Sequence, residues 1–296
     1  MKNFKSGHIA IIGKPNVGKS SIMNFLIKER LSIVTSKPET TRGNIAGILN
    51  MENAQLIFLD TPGTHKPRNI LGKNMVRQAE ESLHNADIIV FVVDAQSGIR
   101  EEDDIILGKL KHIDKPVLCA INKVDIVKKP KVLPIMDKIS KSFEFKEIIP
   151  LSAVDGTNMD ILLSKILDFM NAGPKLFDDE QYTDKSEKFI VSELIREKLL
   201  NLTWQEIPHS VAVFIEEFKQ RENKNLMYIR GTILVEKQSQ KKIVIGNKAS
   251  MLKKIGELAR KDIESLLNKK VYLELWVKVQ DNWRKDAQIL KKLGYL

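Results

Sequence analysis

A single cysteine, Cys119, stands in 296 residues, so neither an internal disulfide nor a cysteine-rich metal site can be built. It lies inside the apolar run 117–121, a core-packing position for a small, soft side chain. Long apolar runs are missing as well. The longest, 88–93, is one buried strand's length, far short of the roughly 18 residues that cross a bilayer. The opening MKNFKSGHIAII has no apolar leader followed by a cleavage site, and the expectation is an intracellular protein. What remains, 43% hydrophobic and 29% charged residues, is the balance of a folded globular chain with length for one large domain or two ordinary ones.

The net charge of +10 is unevenly placed. Residues 1–180 carry 25 Lys and Arg against 23 Asp and Glu, and residues 181–296 carry 23 against 15. The C-terminal part therefore holds most of the excess, the pattern of a polyanion-binding unit joined to a near-neutral one. A basic face that serves only solubility fits the same counts.

Residues 13–20 read GKPNVGKS, between the apolar run 9–12 and a helix-like run ending near residue 29. This is the phosphate-binding pattern G-x-x-x-x-G-K-[ST]. Gly13 and Gly18 let the backbone turn its N–H groups toward phosphate oxygens with no side chain in the way. Lys19 supplies a point charge to the β- and γ-phosphates, Ser20 a hydroxyl to Mg²⁺, and the following helix its positive pole.

From residue 9 to about 170, apolar runs near 9–12, 45–50, 55–59, 88–93, 117–121 and 147–150 alternate with helix-like segments near 19–29, 72–84, 101–112, 132–142 and 159–170. Such alternation predicts an α/β domain with a mostly parallel sheet covered by helices on both faces, and ligands at the carboxyl ends of its strands. Three more motifs fall at such ends. In Asp60-Thr61-Pro62-Gly63 the carboxylate can hold Mg²⁺ through water, and Gly63 can offer its N–H to a γ-phosphate. In Asn122-Lys123-Val124-Asp125 the carboxylate can accept from N1–H and the exocyclic amine of guanine, a pair adenine lacks. Ser152-Ala153-Val154 can bring a backbone N–H near guanine O6.

Taken in this order, GKPNVGKS, DTPG, NKVD and SAV resemble the translation-factor class of GTPases over about 160 residues. The resemblance implies GTP and GDP as substrate and product with Mg²⁺ as cofactor. It implies nucleotide contacts from Gly13, Lys14, Pro15, Asn16, Val17, Gly18, Lys19, Ser20 and Ser21, from Asp60 through Thr64, from Asn122 through Asp125, and from Ser152 through Val154. Ser20, Thr41 and Asp60 would hold the metal, and Lys19, Thr41, Asp60 and Gly63 would act in catalysis. Residues 38–42, PETTR, correspond to the first switch segment, with Thr41 closing on Mg²⁺, and 64 to about 75 to the second. Where small signalling GTPases place a water-orienting glutamine, this chain has Thr64 and then His65, so unaided hydrolysis should be slow. Asn16 either ligates a K⁺ ion, as in relatives of this class, or only steadies the loop.

Residues 171–187 join Gly-Pro to an acidic cluster without apolar periodicity, which reads as a boundary: a GTPase domain over 1–172, a linker over 173–187 and a second domain over 188–296. Beyond it come a helical face from 189 to 202, strands at 211–218 and 226–236, helix-like stretches at 250–255 and 257–268, and a last strand. This order resembles a type II KH domain, a smaller α+β fold whose I-G-x-x-G loop clamps the phosphates of a short single strand. Here the loop is Ile245-Gly246-Asn247-Lys248-Ala249, with alanine in place of the second glycine, and Lys241, Lys242, Lys248, Lys253 and Lys254 surround it. The closing segment 283–296 is either a packed amphipathic tail or a source of RNA contacts from Trp283 and Arg284.

The two halves together resemble a family of bacterial GTPases of small-subunit ribosome assembly. That resemblance implies binding of the 3′ end of small-subunit ribosomal RNA and of the small ribosomal subunit, a monomeric chain, and a peripheral association with the inner face of the cell membrane. The alternative is a GTPase whose basic C-terminal part docks on a membrane surface or a protein partner.

Overall fold

The computed structural model describes residues 4–296 except 36, 38–39, 63–68, 205–206 and 222–224. The described residues fall into two compact units, one drawn from Met1–Val34, Thr40–Lys66 and Met75–Asp184, the other from Thr35–Glu39, Pro67–Asn74 and Lys185–Leu296.

In chain order the first part of the sequence forms β1 (Lys5–Ile12), α1 (Lys19–Ile27), β2 (Ile45–Met51), β3 (Ala54–Asp60), α2 (Ile70–Asn85), β4 (Ile88–Asp94), α3 (Glu101–Leu110), β5 (Val117–Asn122), α4 (Val132–Ser140), β6 (Glu147–Pro150) and α5 (Met159–Phe169). The strands make one sheet in the order β2-β3-β1-β4-β5-β6, parallel except for the β2–β3 pair. The runs IIVFVV in β4 and VLCAI in β5 are buried throughout, as strands covered on both faces must be. Cys119 is fully buried there, and burial pushes its thiol well above the ordinary range, so it packs and does not react.

The chain leaves β1 for one side of the sheet and returns through β4 on the other, which opens a crevice at the carboxyl ends of these two strands. Register aligns those ends: Ile11 lies beside Asp60, Asp94 beside Asn122, and Ile121 beside Pro150. Four loops are thereby brought to one edge. β1 begins at Lys5, four residues before its apolar run, because Lys5 to His8 pair in register with Ala54 to Ile57.

The stretch 173–187 does not run free as a linker would. Gln55 donates to the Phe177 carbonyl at 2.8 Å and accepts from the N–H groups of Leu176 and Phe177, while Ile48 N–H donates to the Tyr182 carbonyl at 2.9 Å. Residues up to Asp184 therefore belong to the first unit, and Lys185 opens the second.

The second part of the sequence forms α6 (Glu187–Leu202), α7 (Ile207–Ser210), β7 (Ala212–Gln220), β8 (Leu226–Val235), α8 (Gln238–Ile245), α9 (Ser250–Leu267), β9 (Lys270–Val279) and α10 (Ala287–Lys292). β7 and β8 are antiparallel, β8 and β9 parallel. The segments 250–255 and 257–268 prove to be one helix; Gly256 sits inside it, where an added Cβ would only touch Leu275 at 3.6 Å. α6 is buried on nearly all sides, including the Arg196–Glu193 ion pair at 2.6 Å. The tail covers its second side: Tyr295 donates its hydroxyl to Glu193 at 3.2 Å, and Trp283, Leu290, Leu293 and Tyr295 are all buried. Trp283 donates its indole N–H to the Ser210 carbonyl, and Arg284 grips Glu236 through two nitrogens. The segment is thus a packed tail, and Trp283 is not available to stack on a base.

Candidate functional site

The loop between β1 and α1 takes its shape from backbone that only a few residues accept. Gly13 and Gly18 have φ of 150° and 99°, and Asn16 joins them at 64°. A Cβ on Gly13 would strike the Val92 carbonyl at 2.5 Å and one on Gly18 the Asn122 amide at 2.1 Å. No side chain fits at either place. Lys19 is buried in the loop's embrace, its ammonium donating to the carbonyls of Gly13 at 2.9 Å and Lys14 at 3.0 Å. Burial lowers its pKa to about 8, against the opposing pull of Asp60 and Asp103.

Three side chains bring their oxygens together beside it. Ser20 donates its hydroxyl to Asp60 Oδ2 at 2.7 Å, Thr41 reaches the same oxygen at 3.3 Å, and the two hydroxyls are 3.3 Å apart. Asp60 is fully buried, and its Oδ1 has no hydrogen-bond partner among the described residues. Burial raises its carboxyl above the usual range even with Lys19 and the hydroxyls pulling down. A desolvated carboxylate with an unanswered oxygen, flanked by two hydroxyls, is the hard-oxygen donor set that Mg²⁺ takes. Thr61 closes the turn by donating to the Ile11 carbonyl at 2.8 Å, with Pro62 buried beside it. Gly63, Thr64 and His65 lie outside the described residues, as do Pro38 and Glu39 of the first switch segment.

The guanine motif is wired to the phosphate loop. Asn122 donates to the Val17 carbonyl at 2.8 Å and accepts from the N–H groups of Lys123 and Ala153. Lys123 reaches the Asn16 carbonyl and Asp94, both at 2.7 Å. Burial pushes the Asp94 carboxyl up, but hydrogen bonds from Lys123, Gln96 and Ser97 hold it below its ordinary value. Val124 ties the next turn to the Leu151 carbonyl at 3.2 Å, leaving Asp125 exposed on a short 3₁₀ turn. Ser152 accepts from the N–H groups of Val154 and Asp155, and Val154 stands out into solvent. Pro15 is half-buried in the loop, and Ser21 lies in the first turn of α1.

Two participants escaped the sequence reading. Asp94 ends β4 and could have been noticed as a carboxylate at a strand's carboxyl end. Asp103 was hidden in the run EEDD; it is fully buried and pairs with Lys14 at 2.8 Å. The Lys14 side chain thus turns toward α3, and only its carbonyl faces Lys19.

In the second unit α8, a tight turn and α9 carry the loop 245–249. Gly246 has φ 73°, and a Cβ there would press on Met251 at 2.8 Å. Ala249 adopts φ 61° and ψ 22°, the left-handed conformation that glycine takes freely. The alanine therefore keeps the loop's backbone shape at a cost of about 1–2 kcal/mol. Lys242, Lys248, Lys253 and Lys254 are exposed around it, Asn247 too, and Lys241 is half-buried. Next to the loop runs a groove of about 460 Å³ between α9 and β9, its walls including Ala249, Leu252, Arg260, Leu273 and Leu275. Its β9 wall lay too far along the sequence to be connected with the loop beforehand. We expect Ala249→Gly to tighten single-stranded RNA binding a few-fold with little change in melting temperature, since strain relief is offset by the greater freedom of unfolded glycine. Unchanged affinity in a fluorescence titration would show that the loop does not clamp.

Fold and site together define a P-loop GTPase joined to a KH module. Residues 8–123 match the family model described as 50S ribosome-binding GTPase, and residues 206–284 match that described as KH domain. The chain is 46% identical over 293 residues to GTPase Era of Caldicellulosiruptor saccharolyticus, covering 99% of this chain and 98% of that one. The chain belongs to the Era family. Two solved structures share its fold over 99% of both chains with TM-scores of 0.95: a variant of Aquifex aeolicus Era bound to GDP and AlF₄⁻, at 42% identity, and Era in complex with MgGDPNP and nucleotides 1506–1542 of 16S ribosomal RNA, at 43%.

Proposed function

We propose that this protein is a nucleotide-gated RNA chaperone: it binds and slowly hydrolyses GTP, holds the 3′ end of small-subunit ribosomal RNA, and assists assembly of the small ribosomal subunit. The observation that carries the nucleotide half is the cluster of Ser20, Thr41 and the half-satisfied Asp60 beside Lys19. These residues would hold Mg²⁺, which would supply neutralisation of the charge developing on the transferred phosphate. Lys19 supplies the charge toward the β- and γ-phosphates, Gly63 an N–H to the γ-phosphate, and the loop amides of 13–21 the rest of the cradle. Asp125 reads the guanine edge, Lys123 lies over the base, and the 152–154 loop flanks O6. Asn16 is the candidate K⁺ contact, and turnover compared in K⁺ and Na⁺ buffers decides it.

The RNA half rests on the groove beside Ala249, lined by Lys253 and Arg260 together with Glu257 and Glu274, on the exposed Lys242, Lys248 and Lys254 around the loop, and on the complex of a 43%-identical relative with ribosomal RNA. GTP ordering the switch segments changes RNA affinity by no more than the difference in RNA affinity of the two states. We place the protein in the cytoplasm as a monomer; peripheral contact with the inner membrane face is an added expectation. Among the described residues no helix is long and apolar enough to cross a membrane.

The test is binding of a short single strand with GTP, GDP or no nucleotide across a salt series. With three to five lysines at phosphates, log affinity should fall against log salt with a slope of about −2 to −3.5. Affinity for RNA independent of nucleotide, or weaker than for anionic vesicles, would reject this reading in favour of membrane docking.

A further inference from the structure

We propose that Asp103 is a positioning residue for the phosphate-binding loop, acting through Lys14. The inference rests on the nucleotide reading above and adds a carboxylate outside all four motifs. Lys14 is the first variable residue of the loop, yet its side chain turns away from Lys19, meeting Asp103 Oδ2 at 2.8 Å and the Gly98 carbonyl at 3.3 Å. The carbonyl of the same residue accepts from Lys19 at 3.0 Å. One residue therefore links the catalytic ammonium, through backbone, to the start of α3, through side chain.

Asp103 is equally fixed. Its Oδ2 also accepts from the Arg100 N–H at 3.0 Å, closing the N-terminal turn of α3, and the carboxylate has 0% exposure. Its Oδ1 has no hydrogen-bond partner among the described residues. Among the described residues Lys14 is the cation that ion-pairs with this buried carboxylate, so parting the two leaves the charge without its hydrogen-bonded counter-ion. Swivelling the Lys14 peptide to a different loop shape would require that separation. The pair thus holds the loop in one conformation before nucleotide arrives, and pre-organisation of this kind raises affinity by removing an ordering cost from binding.

A merely structural ion pair would predict something different, which makes the two accounts separable. Wild type, Asp103→Asn, the apolar double variant Lys14→Met/Asp103→Leu, and Ile139→Ala are compared for melting temperature and for affinity toward a fluorescent GTP analogue and toward GDP. Ile139 is the buried residue of α4 and belongs to neither the loop nor α3, so its truncation lowers stability without removing the Lys14–Asp103 contact. Asp103→Asn keeps an acceptor for Arg100 while removing the charge. We expect it to weaken GTP and GDP at least tenfold and by the same factor, whereas Ile139→Ala loses stability and keeps its affinity. The double variant should regain melting temperature, because apolar residues replace buried pairs well, yet stay at least tenfold weaker for both nucleotides. Asp103→Asn binding GTP like wild type, Ile139→Ala losing affinity as severely, or a double variant that regains affinity with stability would overturn the inference. Failure of the wild-type chain to bind GTP would instead remove the nucleotide reading itself.

Discussion

Phosphate release from GTP should fall by about 10³-fold in a Lys19→Ala variant, the scale on which enzymes lose rate when one preorganised donor to a developing charge is removed. Lys19 is enclosed, and its ammonium is aimed inward by two loop carbonyls. Among the described residues, the two other lysines of the site are already engaged, Lys14 with Asp103 and Lys123 with Asp94. Removing the ammonium also unbalances Asp60, whose carboxyl already lies above its usual range because it is buried. Single-turnover phosphate release at saturating GTP is the measurement, and a rate within tenfold of wild type would sink the assignment. A second signature follows from the pKa of about 8 that burial imposes on Lys19. A bound triphosphate favours the charged ammonium, so binding takes up a proton once the free protein has lost it. Affinity in wild type should therefore decline as pH rises beyond about 8, and the decline should vanish with the side chain.

Much of this arrangement was legible because the chemistry is local. Gly13, Gly18, Lys19 and Ser20 lie within eight residues, and each of the other motifs terminates or directly follows an apolar run that could only be a covered strand. What escaped depends on long-range pairing of polar groups, which leaves no period to read. The 173–184 stretch looked like a linker because it is held by Gln55 and Asn50 amides to its backbone carbonyls, and carbonyls are the same in every sequence. Glu193, Arg196 and Glu197 lie among the apolar positions of the 189–202 helix without a signal of burial, yet all three are buried, with the Tyr295 hydroxyl of the tail on Glu193. Ala249 shows the converse. Its residue type argues against a left-handed turn, and the surrounding α8–α9 geometry imposes that turn anyway, a tertiary demand overriding a local preference of about 1–2 kcal/mol.

The choice of purine should reverse in Asp125→Asn. The carboxylate is presented on a turn that cannot easily yield: Val124 is pinned to Leu151, Lys123 to Asn16 and Asp94, and Asn122 to Val17 and Ala153. Guanine offers two donors, N1–H and the exocyclic amine, and a carboxylate on a fixed turn accepts both. An asparagine amide there opposes one of those donors with a donor of its own. Sites built to hydrogen-bond one substrate reject the mismatched partner by about 10⁴–10⁵-fold, so a loss of about 10³-fold or more in GTP affinity is the expectation. Xanthine carries a carbonyl where guanine has its amine, which restores the match, and xanthosine triphosphate should bind the variant better than GTP does. Stability is the internal control. Asp125 is exposed, and surface substitutions away from buried networks shift folding by no more than about 0.5 kcal/mol. A variant that melts like wild type but exchanges GTP for xanthosine triphosphate in a competition assay has had only its reading head changed. One that still prefers GTP over ATP as strongly as wild type would mean that Asp125 does not face the base, and the guanine assignment would then have to rest on the 152–154 loop alone, whose Ala153 N–H is already donated to Asn122.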